Sequence, residues 1–127
     1  MSNMQTPLKI VRGLGSAKSG TEHFWQQRLT AMANLPLLVF FVWFIVSRLG
    51  ASRADVIASL KNPFISIFLL LTLASVLWHM RLGLQVVIED YVQSHTKKYA
   101  ALILNTAFVV ILFAMSAFSI LKMSFAS

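Results

Sequence analysis

Three long runs without charged residues constrain this chain more than any other feature of its sequence. Residues 29–47, 62–80 and 99–121 contain no Lys, Arg, Asp or Glu. About 20 predominantly apolar residues cross the hydrocarbon core of a bilayer as an α-helix. Because a backbone in lipid must satisfy its own hydrogen bonds and no run alternates with a period of two, helices are favoured over barrel strands. The sequence therefore predicts an all-α membrane protein with three transmembrane helices.

The whole chain, residues 1–127, is predicted to form a single membrane-anchor domain. The capping-box spacing of Ser19 and Glu22 predicts where the first helix begins. Asn62 followed by Pro63 predicts the start of the second helix. A loop with Ser94, His95, Lys97 and Lys98 is expected before the third span. The predicted segments are an inner-side arm at residues 1–19, helices at about 20–49, 62–90 and 99–121, and a short outer connection at 50–61.

The basic residues indicate a membrane partner and an orientation. The net charge is +7, but the Lys and Arg residues lie mostly at the ends of apolar runs, which favours a membrane over nucleic acid. The absence of cysteine excludes a disulfide scaffold. With three spans, seven basic residues lie on the same side of the membrane as the amino terminus: Lys9, Arg12, Lys18, Arg28, Arg81, Lys97 and Lys98. Four lie on the opposite side: Arg48, Arg53, Lys61 and Lys122. Because basic residues concentrate on the inner side, the amino terminus is predicted to be inside.

One face of the second helix carries the ionisable groups. His79 is the one ionisable residue of the run 62–80, and such a residue inside a bilayer is commonly functional. At 100° per residue, Asp90 lies within about 20° of His79 and about 16 Å further along the axis, with Tyr91 beside it. The His79 face consists of Thr72, Ser75, His79, Gly83, Val86 and Asp90. It is expected to point into a protein interior and to need a partner bundle.

Two interpretations of the His79 face are open. The small residues can form a packing seam, with His79 hydrogen-bonded across it. Alternatively, the imidazole of His79 can bind haem iron, with a haem edge beside Gly83 and a second axial ligand from another chain. At the membrane edge, Asp90 and Tyr91 can simply mark the helix exit. Otherwise Tyr91 can donate to a quinone carbonyl while Asp90 relays protons.

Two arginines near the inner side also have alternative roles. Arg28 can snorkel and set the topology, or it can pair with a haem propionate. Arg81 is about 200° from His79 around the helix, so it is not expected to share that face.

In the third span, four polar residues are predicted to be interhelical contacts: Asn105, Thr106, Ser116 and Ser119. The sequence has no phosphate-binding loop, metal-spaced cluster or thiol, so catalysis would depend on bound cofactors and neighbouring subunits.

Two stretches resemble a known family. Residues 79–83 (HMRLG) and 87–91 (VIEDY) resemble the signature of the small hydrophobic D subunit that anchors succinate dehydrogenase, respiratory complex II. Residues 15–25 (GSAKSGTEHFW), followed by Arg28, Thr30 and Ala31, are similar to the opening of bacterial members, especially alpha-proteobacterial ones. The resemblance implies three helices that form half of a heterodimeric anchor bundle in the bacterial inner membrane. The basic, acid-poor start also resembles a mitochondrial transit peptide, although it would be a short one, so a mitochondrial inner membrane is the alternative.

The resemblance also implies roles for individual residues. His79 would be one axial ligand of haem b, packed near Gly83, and the C subunit would supply the other ligand. Tyr91 would hydrogen-bond ubiquinone at an inner-side site supported by Asp90, and Arg28 would lie near a haem propionate. Flavin and iron-sulfur clusters would be held by the flavoprotein and iron-sulfur subunits. This chain would carry no catalytic residue for succinate.

Other functions are compatible with the same residues. The anchor of a fumarate reductase has a similar architecture and runs mostly in the reverse direction. A small transporter subunit could place His79 and Asp90 in a proton path. A structural assembly factor would make His79→Ala nearly silent.

Overall fold

The computed structural model describes residues 7–11 and 18–125, and within these residues the chain forms five helices. They are α1 (Pro7–Val11), α2 (Lys18–Ser47), α3 (Arg53–Leu60), α4 (Pro63–Tyr91) and α5 (His95–Ser124). Three of them, α2, α4 and α5, are long and apolar enough to cross a membrane. The prediction of an all-α membrane protein with three spans is therefore confirmed.

The boundaries of the second helix agree with the sequence prediction. Asn62 has an extended backbone and its side chain accepts a hydrogen bond from the amide of Phe64 at 3.0 Å. Pro63 occupies the first turn, where a backbone N–H would have no acceptor within the helix, so the lack of an N–H in proline breaks no hydrogen bond. At the first helix, α2 already begins at Lys18, and the side chain of Ser19 lies outside the described residues.

The two connections contain more helix than the sequence predicted. The outer connection forms α3, which begins with a capping box in which Ser52 and Asp55 bond each other's backbone amides. The expected loop at residues 94–98 is wrong, because α5 begins at His95 with Ser94 as its cap. Polar and charged residues can continue a helix beyond the hydrocarbon, and Lys98 donates to the carbonyl of Glu89 at 2.9 Å. That bond ties the first turn of α5 to the end of α4.

The helix α4 is central among the three long helices. It packs against α2 on one side and against α5 on the other, while α2 and α5 do not approach each other along their backbones within the described part of the chain. The three spans thus form a layer rather than a closed bundle. Large apolar side chains remain exposed along all three helices, as expected for a surface that lipid or another subunit covers.

The apolar core lies at the end of the layer next to α3. Phe44, Leu60 and Leu69 are buried there, and the Phe40 and Phe68 rings pack with centroids 4.9 Å apart. Other side chains packed against this core are Val56, Ile65, Ile120 and Met123. Apolar packing therefore joins the helices at this end, and the polar contacts between α2 and α4 lie nearer the opposite end.

Candidate functional site

The His79 face of α4 packs against α2. Ser75 donates from Oγ to Oδ1 of Asn34 at 2.6 Å. One turn further along, Nδ1 of His79 lies 2.9 Å from Oγ1 of Thr30. These two contacts show that Ser75 and His79 already meet polar partners within the same chain, whereas the expected partner bundle stays a prediction.

The pairing fixes the register of the two antiparallel helices. Thr30 lies opposite His79, and Asn34, four residues later, lies opposite Ser75, four residues earlier. Gln27 continues the series, because its Nε2 would lie 3.7 Å from a Cβ added to Gly83. The same side chains that form the packing seam therefore hold the imidazole at a defined depth.

Burial along the His79 face decreases toward the end of α4. Thr72 is 5% exposed, and Ser75, His79 and Gly83 are half-buried. Val86 is 40% exposed and Asp90 is also exposed. The expectation that this face points into a protein interior is thus confirmed for its first four members and is wrong, within this chain, for the last two.

A matching polar face on α2 was missed by the sequence analysis. His23, Gln27, Thr30 and Asn34 are spaced by four, three and four residues, which places them on one side of a helix. The available signal was this helical spacing at the amino-terminal half of the first span. Two atoms of the face, Nε2 of His23 and Oε1 of Gln27, are buried without a hydrogen-bond partner among the described residues.

Among the described residues, only one of the two ring nitrogens of His79 has a hydrogen-bond partner. Nδ1 is engaged by Thr30, whereas no described group hydrogen-bonds Nε2, which is not among the buried unpartnered atoms. Within the described residues, no group of three His, Cys, Asp or Glu side chains could hold a bare metal ion. Nε2 of His79 alone could therefore fill only one coordination position, as for a cofactor that brings its own equatorial ligands.

Asp90 and Tyr91 are the last residues of α4. Tyr91 is 81% exposed and Asp90 is exposed as well. The structure does not bring them into contact with His79, which lies eleven residues earlier on the same helix. Asp90 and Tyr91 therefore form a separate, exposed polar edge at the end of α4.

Arg28 does not join the His79 face in this chain. It is exposed, and its guanidinium lies 5.3 Å from the ring centroid of Phe24. Being two residues before Thr30, it points about 200° away around α2. It is nevertheless only about 3 Å from Thr30 along the helix axis, so it lies near the depth of His79.

Arg81 faces the opposite side of α4, as its angle predicted. Its Nε donates to Oγ1 of Thr106 at 3.2 Å, and its guanidinium lies 5.0 Å from the Trp78 ring centroid. Asn105 donates from Nδ2 to the carbonyl of Arg81 at 3.0 Å. These bonds confirm Asn105 and Thr106 as interhelical contacts, whereas exposed Ser119 donates to the carbonyl of Met115 in its own helix.

Comparisons with known proteins converge on one family. The model of the family described as succinate dehydrogenase/fumarate reductase transmembrane subunit matches residues 2–114. A succinate dehydrogenase hydrophobic membrane anchor subunit from Paracoccus denitrificans is 30% identical over 118 residues, which are 93% of this chain and 91% of that protein. The subunit of the same name from Rickettsia conorii is 36% identical over 76% of this chain and 78% of the relative.

A more distant source gives the same description. A succinate dehydrogenase membrane anchor subunit from Reclinomonas americana is 29% identical over 68% of this chain and 75% of that protein. No solved structure matches the chain significantly. The part that the family model matches includes α2 and α4 with the whole His79 face.

Proposed function

This chain belongs to the family of succinate dehydrogenase/fumarate reductase transmembrane subunits, and we propose that it is a membrane-anchor subunit of a succinate:quinone oxidoreductase. In this role it holds the enzyme at the bacterial inner membrane, with its amino terminus inside. It contributes to a haem b site and a ubiquinone site that are completed by partner subunits. The observation that carries the proposal most directly is Nε2 of His79, which lies on a candidate membrane span and receives no hydrogen bond from any described residue.

The open layer of helices supports a partner within the membrane. Because α2 and α5 flank α4 without closing over it, α4 is accessible between them. Trp78, for example, is 45% exposed in the middle of α4 although its neighbour Leu77 is buried. A second anchor, the C subunit, would cover such surface and complete a bundle. The iron-sulfur subunit and the flavoprotein would sit at the inner face.

The donor set of the chain fits one side of a haem. His79 would hold the iron through Nε2, and the partner anchor would supply a second ligand. Haem b, when bound, stores one electron between the iron-sulfur clusters and quinone. Gly83 adds support, because a glycine within a helix costs about 0.5–1 kcal/mol relative to alanine. Among the described residues, an added Cβ would make only an ordinary contact, 3.7 Å from Nε2 of Gln27. The space left by the missing side chain of Gly83 would therefore accommodate a group outside this chain.

Arg28 would compensate the negative charge of a haem propionate from the inner side. Its depth near His79 supports this role, and its direction away from α4 requires that its long side chain turn toward the cofactor when the partner is present. The cation–π contact with Phe24 is exposed, so releasing it would cost little, about 0.5–1 kcal/mol.

The edge formed by Asp90 and Tyr91 would contact the quinone. Reduction of a quinone to a quinol needs two electrons and two protons, so a site at the wet end of α4 suits the chemistry. The phenol of Tyr91 would donate a hydrogen bond to a quinone carbonyl, and the carboxylate of Asp90 would pass protons from water. Electrons would reach this site from succinate through flavin and iron-sulfur clusters held by the partners.

A direct test compares the two tyrosines of the chain in the purified complex. Tyr91→Phe removes the proposed donor, while Tyr99→Phe is the matched control because Tyr99 is also exposed and lies near the start of the next helix, α5. We expect flavin and iron-sulfur subunits to copurify with all forms, and succinate:quinone activity to fall at least about tenfold only in Tyr91→Phe. Absence of redox subunits, together with proton flux through the chain alone, would instead support a transporter.

A further inference from the structure

The hydroxyl of Thr30 has three polar neighbours, and their chemistry constrains where its hydrogen goes. Oγ1 lies 2.8 Å from the carbonyl oxygen of Gln26 and 3.1 Å from that of Gln27. The third neighbour is Nδ1 of His79, at 2.9 Å. A carbonyl oxygen can only accept a hydrogen bond, whereas an imidazole nitrogen can donate or accept.

Counting hydrogens assigns the directions of these bonds. The hydroxyl owns one hydrogen, and donating it to a carbonyl of the preceding turn is the usual arrangement of threonine within a helix. The oxygen lone pairs that remain face His79 and can accept a hydrogen bond from Nδ1–H. If His79 instead carried its hydrogen on Nε2, Thr30 would have to donate to Nδ1, and neither carbonyl would receive the hydroxyl hydrogen. The hydroxyl can donate to a carbonyl and bond the ring at the same time only when it accepts from Nδ1–H.

We infer that Thr30 is a positioning residue for His79: its hydroxyl accepts from Nδ1–H, fixes the ring tautomer and orientation, and leaves the Nε2 lone pair available to iron. The inference rests on the proposed haem function and adds a residue from a different helix to that site. Imidazole ligands of metals characteristically donate their other nitrogen to such an acceptor, which also raises their basicity.

The surrounding contacts make Thr30 suited to this role. The hydroxyl is part-buried, and the bond to the Gln26 carbonyl orients it without any outside partner. One turn away, the bond between Ser75 and Asn34 prevents α2 and α4 from sliding past each other. The acceptor is therefore held in place before a cofactor arrives.

The test uses the intact complex with substitutions at Thr30. Thr30→Val keeps the shape of the side chain and removes the hydroxyl, and Thr30→Ser keeps the hydroxyl. Thr106→Val is the matched control, because it removes a hydroxyl that contacts α4 at Arg81 on the side facing α5. Thr30→Ala is a second hydroxyl-free form that adds no atoms, should Thr30→Val fail to assemble. Flavin content reports assembly in every sample.

Three readouts follow the haem itself rather than turnover. They are haem retained per flavin, the haem midpoint potential, and the electron paramagnetic resonance spectrum of the ferric form. For Thr30→Val we expect about 10- to 100-fold weaker haem affinity. If the affinity for ferric haem falls tenfold and the affinity for ferrous haem is unchanged, the haem midpoint potential would rise by about 59 mV. The largest ferric g value should also shift, because the ring is free to turn. Thr30→Ser and Thr106→Val should match the wild type.

The outcomes separate the inference from the proposed function. Wild-type haem content, potential and spectrum in Thr30→Val or Thr30→Ala would overturn the inference, and so would an equal defect in Thr30→Ser. In both cases a haem signal lost in His79→Ala would leave the proposed function intact. A wild-type complex that assembles without haem would instead overturn the haem proposal and the inference together.

Discussion

The hydrogen bond between Ser75 and Asn34 gives a quantitative test of the α2–α4 interface. Ser75 Oγ and Asn34 Oδ1 are 2.6 Å apart, and Asn34 is only 8% exposed. Ser75→Ala leaves the Asn34 carbonyl oxygen without this donor. An unsatisfied buried polar group costs about 1–3 kcal/mol in water-soluble proteins. Interhelical hydrogen bonds in membranes average about 0.6 kcal/mol and reach about 1.7 kcal/mol. The short distance and the burial place this pair near the upper membrane value.

A double-mutant cycle isolates that pairwise energy. The full-length chain in mixed micelles is unfolded with increasing SDS and followed by circular dichroism for the wild type, Ser75→Ala, Asn34→Ala and the double variant. We expect each single variant to lose about 1–2 kcal/mol and the coupling energy to be about 1–1.7 kcal/mol. Ser119→Ala is the control, because that exposed hydroxyl bonds only its own helix, and it should change stability by less than about 0.5 kcal/mol.

The result that refutes this reasoning is specific. A coupling energy near zero, with both single variants as stable as Ser119→Ala, would mean that Ser75 and Asn34 are not partners. The register that places Thr30 opposite His79 would then lose its second support.

Other predictions concern the remaining polar contacts. Asn105→Ala removes the donor to the Arg81 carbonyl, so it should destabilise the α4–α5 contact by about 0.6–1.7 kcal/mol in the same SDS titration. Because Asn105 lies on the side of α4 away from His79, the haem spectrum of the complex should stay unchanged. Arg28→Gln removes a positive charge near the proposed propionate and should lower the haem midpoint potential in a redox titration, whereas Arg53→Gln at the start of α3 should not. Gly83→Leu should reduce haem per flavin in the purified complex, while Gly20→Leu, at the exposed start of α2, should retain the wild-type ratio.

The spans were predictable because length and lack of charge are sufficient to define a membrane helix. The Asn62 cap was predictable for a similarly local reason, since its signal lies within two residues. The start of α5 at His95 was missed because polar residues outside the hydrocarbon can be either helix or loop, and the bond from Lys98 to the Glu89 carbonyl is a tertiary contact. The helix α3 was missed although Ser52 and Asp55 have the spacing of a capping box.

The candidate site was predictable on one helix and not between two. Periodicity placed Thr72, Ser75 and His79 on one face, but it could not say that the facing surface is α2 of the same chain. That pairing depends on the register of two antiparallel helices, which the contacts to Thr30 and Asn34 fix. The roles of Arg28, Asp90 and Tyr91 stay predictions, since their proposed partners are a cofactor, a substrate and other subunits.

The central claim is that His79 supplies an axial ligand to haem in an enzyme that this chain anchors. The most direct measurement is a reduced-minus-oxidised absorption spectrum of the purified complex, normalised to flavin, for the wild type, His79→Ala and His95→Ala. His95 is the matched control because it is exposed at the start of α5. We expect a b-type signal in the wild type and His95→Ala that is weakened or shifted in His79→Ala. An unchanged signal in His79→Ala would contradict it.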